Sequence, residues 1–373
     1  MKIPYFQPWL NNDDKTSIIK ALNQRWLTNG PSLHKFEKNF QKFLGSTFAI
    51  GVGSATHALH LAIRSIGITT GDEVIVPTFT FAATANSVIY SGGTPIFVDV
   101  DKDTFTINPD EIKKKITKNT KAIIPVHYAG QSCDMDAIIS ISKKYNLKII
   151  EDCAHALGST FRNKNCGTIG TLGCFSFYPT KIITTGEGGM VTTNKKSLQV
   201  KITSLKSHSM SVAATEREKK ATWRYDITDL GYNYRLDEIR SALGLSQLTR
   251  IKKINLLRRK IAKKYDQHIK KIRGITPPAT KDDRNHIYHL YTIKIENNYP
   301  LSRDELFQKL SRKGIGTSVQ YYPLHLMSYY KNKFPSKNND FPIANSLKDK
   351  VLSLPIFPTM SEKQIEYVVS QLK

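Results

Sequence analysis

EDCAHALGS, residues 151–159, and FSFYPTKIITTGEGG, residues 175–189, are the two stretches that decide how this chain is read. The apolar run KIIED at 148–152 leads into the first and predicts a buried strand whose carboxyl end delivers Asp152. The second carries Lys181, 29 residues further on, in a segment too rich in threonine and glycine to be a helix. A carboxylate at a strand end and a lysine on a turn are the two charges needed to hold a pyridine ring and carry a Schiff base.

Outward from these stretches the pattern alternates. Strands are predicted at 48–52, 71–77, 95–100, 121–127 and 147–152, with helical patterns between them, as in GSATHALHLAIRSIG, where Leu59, Ile63 and Ile66 share a side. Such alternation implies an α/β fold with a largely parallel sheet covered on both faces. Ligands bind such sheets beyond the carboxyl ends of the strands, where Ser54, Phe79, His127 and Asp152 fall. GCFSF and GGMVTT read as two short strands flanking the lysine turn, and the polar segment 206–229 as a loop that covers a site.

From residue 231 a long helical pattern runs to about residue 272, softly broken at Gly244, and the domain boundary is expected near residue 250. That division gives a large unit, 1–250, and a smaller mixed α+β unit, 251–373. In the latter, HIYHLYTIKI at 286–295 and IGTSVQYY at 315–322 read as strands. Ser302 with Glu305 predicts a capped helix start, and Ser361 another.

A chain of 373 residues exceeds what one core usually fills, in keeping with two units. The net charge of +24 invites a nucleic-acid reading, yet 41 of the 55 basic residues are lysines scattered over polar positions, with no accompanying recognition motif. A positive field also suits a diphosphate-linked substrate. Cys133, Cys153, Cys166 and Cys174 have apolar neighbours and no CxxC spacing, which predicts buried thiols rather than disulfides. Without a signal-like start or an apolar run near 18 residues, the expectation is a cytoplasmic protein with no membrane insertion.

Each candidate site residue has a plainer alternative. Lys181 competes with 40 other lysines. Asp152 reads equally as a helix cap or, with Asp99 and Asp101, as a magnesium ligand; Glu151 would point to the opposite side. His155 either reaches a ring hydroxyl or is a structural histidine. Ser54, Ala55 and Thr56, after Gly53, form either a phosphate cup at a helix start or an ordinary N-cap, and Ser176 could add a hydroxyl. Phe79 and Phe81 could stack on a planar group or fill the core. Asn233 and Arg235 follow the covering loop and could reach this subunit's site or a partner's.

Seven motifs in order resemble the DegT-like family of pyridoxal-phosphate-dependent nucleotide-sugar aminotransferases: GSATHALHLAI, GDEVIVPTFTFAATANSV, GGTPIFVDVD, EDCAHALGS, FSFYPTKIITTGEGGMVTT, GYNYRLDEIRSALGL and GIGTSVQYYPLH. The resemblance spans nearly the whole chain. It implies the aspartate-aminotransferase-type fold (fold type I), with a mostly parallel central sheet, working as a homodimer with sites at the interface. By resemblance Lys181 matches the lysine that carries pyridoxal 5'-phosphate (PLP), Asp152 the partner of the pyridine nitrogen, and His155 the contact to the ring oxygen. Phe81 matches the stacked aromatic, and Ala55, Thr56 and Ser176 the phosphate contacts. Asn233 resembles a residue lent by the other subunit, and His325 a substrate contact.

The implied reaction is transamination of a nucleotide-linked keto-deoxysugar from L-glutamate, through the pyridoxamine 5'-phosphate (PMP) form, giving an amino sugar for polysaccharide biosynthesis. ITTGEGG resembles the branch that acts at sugar C4 more than C3. The alternatives are a PLP-dependent sugar dehydratase, whose relatives carry histidine in place of the lysine, and a non-enzymatic ligand sensor on the same fold.

Overall fold

Seven apolar runs pair into one sheet in the computed structural model, which describes residues 1–24, 26–212, 221–337 and 339–373. Helices α1 (Asn12–Asn23) and α2 (Pro31–Leu44) come first. Then β1 (Phe48–Val52), α3 (Ala55–Ser65), β2 (Glu73–Pro77), α4 (Ala82–Tyr90), β3 (Thr94–Val98), α5 (Pro109–Lys115), β4 (Thr120–Ile123), α6 (Met135–Tyr145) and β5 (Lys148–Asp152) alternate. The short β6 (Thr160–Phe161) and β7 (Lys164–Asn165) precede β8 (Leu172–Ser176), β9 (Gly189–Thr193) and α7 (Lys196–Leu205).

The sheet order is β1-β9-β8-β5-β4-β2-β3. From β8 to β3 every pair is parallel, while β9 runs antiparallel to both β1 and β8. The reversal has a local cause. The connection between β8 and β9 carries no helix to cross over a sheet face, so the chain turns straight back, and Lys181 sits on that turn. Val74, Ile75 and Val76 in β2, and Ile149 and Ile150 in β5, are all buried, because helices cover both faces and no solvent side is left for polar residues.

The later chain forms α8 (Glu238–Thr249), α9 (Ile251–Ile269), β10 (Ile275–Thr276), β11 (Arg284–Asn285), β12 (Tyr291–Ile295), α10 (Arg303–Arg312), α11 (Ser328–Lys333), α12 (Pro342–Leu347), β13 (Val351–Leu354) and α13 (Glu362–Ser370). A three-stranded antiparallel sheet, β10-β12-β13, packs with α9, α10 and α13 around Tyr265, Tyr291, Leu306, Leu352 and Val368. Ile3 joins that core, pairing with Ile315, so the amino terminus is tied to the carboxyl-terminal half. Ser302 and Ser361 both cap through capping boxes, with Glu305 and Gln364 returning the second bond.

Three sequence expectations need correction. The helix break falls at Arg250, not Gly244. A Cβ on Gly244 would lie 2.7 Å from the Phe36 ring and 2.9 Å from Thr185 Cγ2, so that glycine serves close packing. The strand expected at 286–295 begins only at Tyr291; Tyr288 has a positive φ of 51°, which no continuous strand admits. IGTSVQYY is not a strand but an extended crossing that touches its neighbours through isolated bridges at Ile315 and Ser318.

Of the covering segment expected at 206–229, residues 213–220 lie outside the described residues. Its two flanks are pinned together by Ser211 N–H donating to Asp226 O and Thr228 N–H to Ser209 O. The four cysteines are buried and free. Among the described residues no helix is long and apolar enough to cross a membrane.

Candidate active site

Side chains alternate across β5, and its last two residues use that alternation to separate two carboxylates. Glu151, fully buried, accepts from Gly167 N (2.8 Å), Ile169 N (2.8 Å), Gly170 N (2.6 Å) and His127 Nε2 (2.9 Å). Cys133 N–H donates to His127 Nδ1, so the imidazole proton sits on Nε2 and goes to Glu151. These bonds fasten the loop before β8 beneath the sheet.

Asp152 faces the other way. It accepts from Thr84 Oγ1 at 2.9 Å and from Ala154 N at 3.1 Å. Burial pushes its carboxyl above the usual range, against the opposing pull of those donors and of Lys181.

Lys181 is presented by the turn after β8. Its N–H donates to Tyr178 O, Thr184 Oγ1 donates to Phe177 O, Thr185 Oγ1 donates to Glu187 O, and Gly186 takes a φ of +78°. The backbone is thereby fixed while the amine makes no hydrogen bond among the described residues. Burial lowers its pKa to about 8, with the Asp152 carboxylate pulling the other way.

A third group of donors comes from the start of α3. Ser54 Oγ accepts from His57 N, which leaves the Ala55 and Thr56 amides without an acceptor among the described residues. A Cβ on Gly189 would lie 2.5 Å from Ser54 C and O, so β9 passes this corner only as glycine.

All three groups border one cavity of about 570 Å³. Asp152, His155, Lys181, Ala55, Thr56 and Ser176 line it, with Phe81 at 62% exposure. His155 is buried, and its Nε2 lies 3.0 Å from Tyr321 Oη. Burial, then Lys181, holds the His155 pKa well below the ordinary value. Phe79 belongs to the core beneath the cavity.

Two predicted positions are not brought in. Asn233 is exposed and outside this subunit's cavity. His325 is buried behind it, with Nδ1 at 2.7 Å from Thr78 Oγ1 and Nε2 at 3.0 Å from Asn345 Oδ1, and its ring lies against Phe341. Both ring nitrogens are engaged within the chain, and His325 does not line the cavity. Neither Asp99 nor Asp101, the companions of the magnesium alternative, lines the cavity with Asp152. Asp99 accepts from Ile343 N and Ala344 N at the start of α12, and Asp101 from Asp103 N and Thr104 N.

Thr84, His289 and Tyr321 were missed, although all three line the cavity. His289 and Tyr321 lie in the two stretches read as strands. The density of histidine and tyrosine in HIYHLY and VQYY was the available signal.

Residues 8–373 match the model of the DegT/DnrJ/EryC1/StrS aminotransferase family. The spore coat polysaccharide biosynthesis protein SpsC of Bacillus subtilis is 39% identical over 374 residues, covering 100% of this chain and 96% of SpsC. Among solved structures, Spr1654 of Streptococcus pneumoniae in its PMP-form aligns with a TM-score of 0.93 at 30% identity, over 100% of this chain and 98% of that one. It has also been solved in a PLP-form. Helicobacter pylori PseC, an aminotransferase involved in the biosynthesis of pseudoaminic acid, aligns with a TM-score of 0.93 at 31% identity, over 100% and 98% of the two chains.

Proposed function

The chain belongs to the DegT/DnrJ/EryC1/StrS aminotransferase family, and from that membership we propose that it aminates a nucleotide-linked keto-deoxysugar, a 4-keto sugar before a 3-keto one, with L-glutamate as donor. Its cofactor is PLP, alternating with PMP. The observation that carries this reading is the meeting, in one cavity, of an unpaired amine on Lys181, a buried carboxylate on Asp152 and two free amides at Ala55 and Thr56.

Those groups fit the cofactor on physical grounds. Among the described residues the Asp152 carboxylate has no cation bonded to it, and a protonated ring nitrogen would supply the opposite charge that its burial calls for. The Ala55 and Thr56 amides, with the Thr56 and Ser176 hydroxyls, would receive the phosphate at a helix start, where the dipole favours an anion. Lys181 would hold the cofactor covalently through Nζ. Phe81 would cover the ring face and His155 would meet the ring oxygen. When bound, PLP supplies an electron-withdrawing ring that drains charge from the carbon losing its proton.

The chain's own contribution to turnover is proton handling. With its pKa near 8, the Lys181 amine exists in both forms close to neutral pH, so one group can take a proton from the donor or sugar carbon and return it to the cofactor.

The reading includes a homodimer with a site at each interface, which would bring Asn233 of one subunit to the phosphate of the other. Exposed Phe81, Trp223 and Leu230 are side chains of the kind a second copy would cover. Supplying glutamate and a panel of nucleotide-linked 3-keto and 4-keto sugars, with products followed by mass spectrometry, tests the proposal. An amino sugar from a 4-keto substrate supports it; loss of water without nitrogen gain from the whole panel contradicts it.

A further inference from the structure

Basic residues outnumber acidic ones 55 to 31 over the whole chain, but ten to one over residues 251–273, where Asp266 is the single acid. Most of that stretch is α9. The helix turns Ile251, Ile254, Arg258, Ile261, Tyr265 and Ile269 into the protein, which sorts its other side chains outward. Lys252, Lys253, Lys260, Lys263, Lys270 and Lys271 are exposed, with Arg259 and Lys264 half-buried beside them. Lys252, Arg259, Lys263 and Lys270 follow one another at steps of seven, four and seven residues, so they form one row about 27 Å long.

Helix stability does not account for this row. The start of a helix favours acids, yet the first turn of α9 has none and carries Lys252 and Lys253 instead. Further along, Arg259 and Lys263, and Lys260 and Lys264, stand one turn apart and repel. Relief comes only at the edges, where Lys264 meets Glu362 at 2.5 Å and Lys253 lies 5.4 Å over the Trp9 ring. Asp266 accepts from Tyr291 Oη at 2.6 Å. Among the described residues Lys252, Arg259, Lys260, Lys263, Lys270 and Lys271 form no ion pair.

We propose that this face of α9 docks the protein on an anionic lipid surface, by charge and without insertion. A straight row of flexible ammonium groups meets a plane of phosphate headgroups all at once, and each basic group near such a plane strengthens attachment about fivefold. Leu256, 46% exposed in the middle of the row, adds an apolar contact of the kind a lipid interface takes. A nucleic acid is the poorer match, because lysines predominate where phosphate forks favour arginine and no aromatic stands in the row for bases to stack on. The opposite side of the helix, through Arg258, holds the carbonyls of Tyr288 and of His289 in the cavity wall. Docking therefore uses the side of α9 turned away from the cavity, and the inference stands apart from the reading of the reaction.

The test adds full-length protein to vesicles of phosphatidylglycerol and phosphatidylcholine in equal parts, with pure phosphatidylcholine vesicles alongside, and measures the bound fraction by sedimentation. Two variants carry the same net charge: Lys252→Glu, Lys260→Glu and Lys263→Glu together on α9, and Lys35→Glu, Lys38→Glu and Lys42→Glu together on the exposed side of α2. Wild type should bind the anionic vesicles and not the neutral ones, and should leave them at about 1 M salt, where screening reaches within roughly 3 Å. A DNA duplex added at equal phosphate concentration should leave the protein on the vesicles. The α9 variant should bind at least about 100-fold more weakly, about fivefold for each charge removed, and the α2 variant within about threefold of wild type. No wild-type binding to anionic vesicles, equal loss in the two variants, or displacement by the duplex overturns the inference. The lipid, salt and duplex arms on wild type decide it even where a variant does not fold.

Discussion

Asp152 and Lys181 reach the same cavity from the carboxyl ends of two neighbouring parallel strands, the first at the end of β5 and the second on the turn that follows β8. Burial lowers the Lys181 amine to about 8 while the Asp152 carboxylate resists that shift. A free-amine fraction of roughly a tenth is therefore present near neutral pH, far more than an ordinary lysine offers.

This coupling has a sign that can be measured. In protein stripped of cofactor, the rate at which Lys181 reacts with an amine-directed reagent should rise with pH through a midpoint near 8. In Asp152→Asn the carboxylate that favours the charged amine is gone, so the midpoint should fall below the wild-type value. A midpoint above 10 in wild type would mean that the amine is solvated.

Replacing Lys181 by alanine should lower amine transfer by roughly 10²–10⁴-fold from the loss of the proton shuttle alone. Cofactor should still bind, because Asp152 and the α3 amides remain, but without covalent attachment. Turnover followed by mass spectrometry beside cofactor content measures both.

Gly189→Ala should weaken cofactor binding about tenfold and destabilise the fold by roughly 1–3 kcal/mol, since the added methyl meets backbone atoms of Ser54 that have no flexible end to move aside. Equilibrium dialysis and urea denaturation read the two effects. A neutral variant would show that the corner between α3 and β9 is looser than its 2.5 Å approach indicates.

Glu151 offers the contrasting case, a carboxylate next to the site in sequence and away from it in space. Glu151→Ala leaves three amides and the His127 N–H buried without an acceptor, and stability should fall by about 3–5 kcal/mol. Urea denaturation checks this. The spectrum of bound cofactor in the folded fraction should stay as in wild type.

The neighbouring pair Glu151 and Asp152 shows why so much of the site was legible. A strand alternates its side chains, so KIIED already implied one carboxylate above the sheet and one below. The parallel strands followed from unbroken apolar runs such as EVIVP, and the glycines around Lys181 marked a turn. What the residues could not tell was where long-range crossings end. HIYHLYTIKI alternates well enough to pass for one strand, yet its first half bends into the cavity wall and carries His289 there. His325 shows another limit: a histidine after a proline reads as available, and only the fold brings its two nitrogens to Thr78 and Asn345.

The most direct measurement is reduction of the PLP-loaded enzyme with borohydride followed by peptide mass analysis. A stable pyridoxyl mass on the peptide containing Lys181, absent from the Lys181→Ala protein, is the predicted result. The same mass on a different lysine, or none anywhere despite tight cofactor binding, would contradict the account.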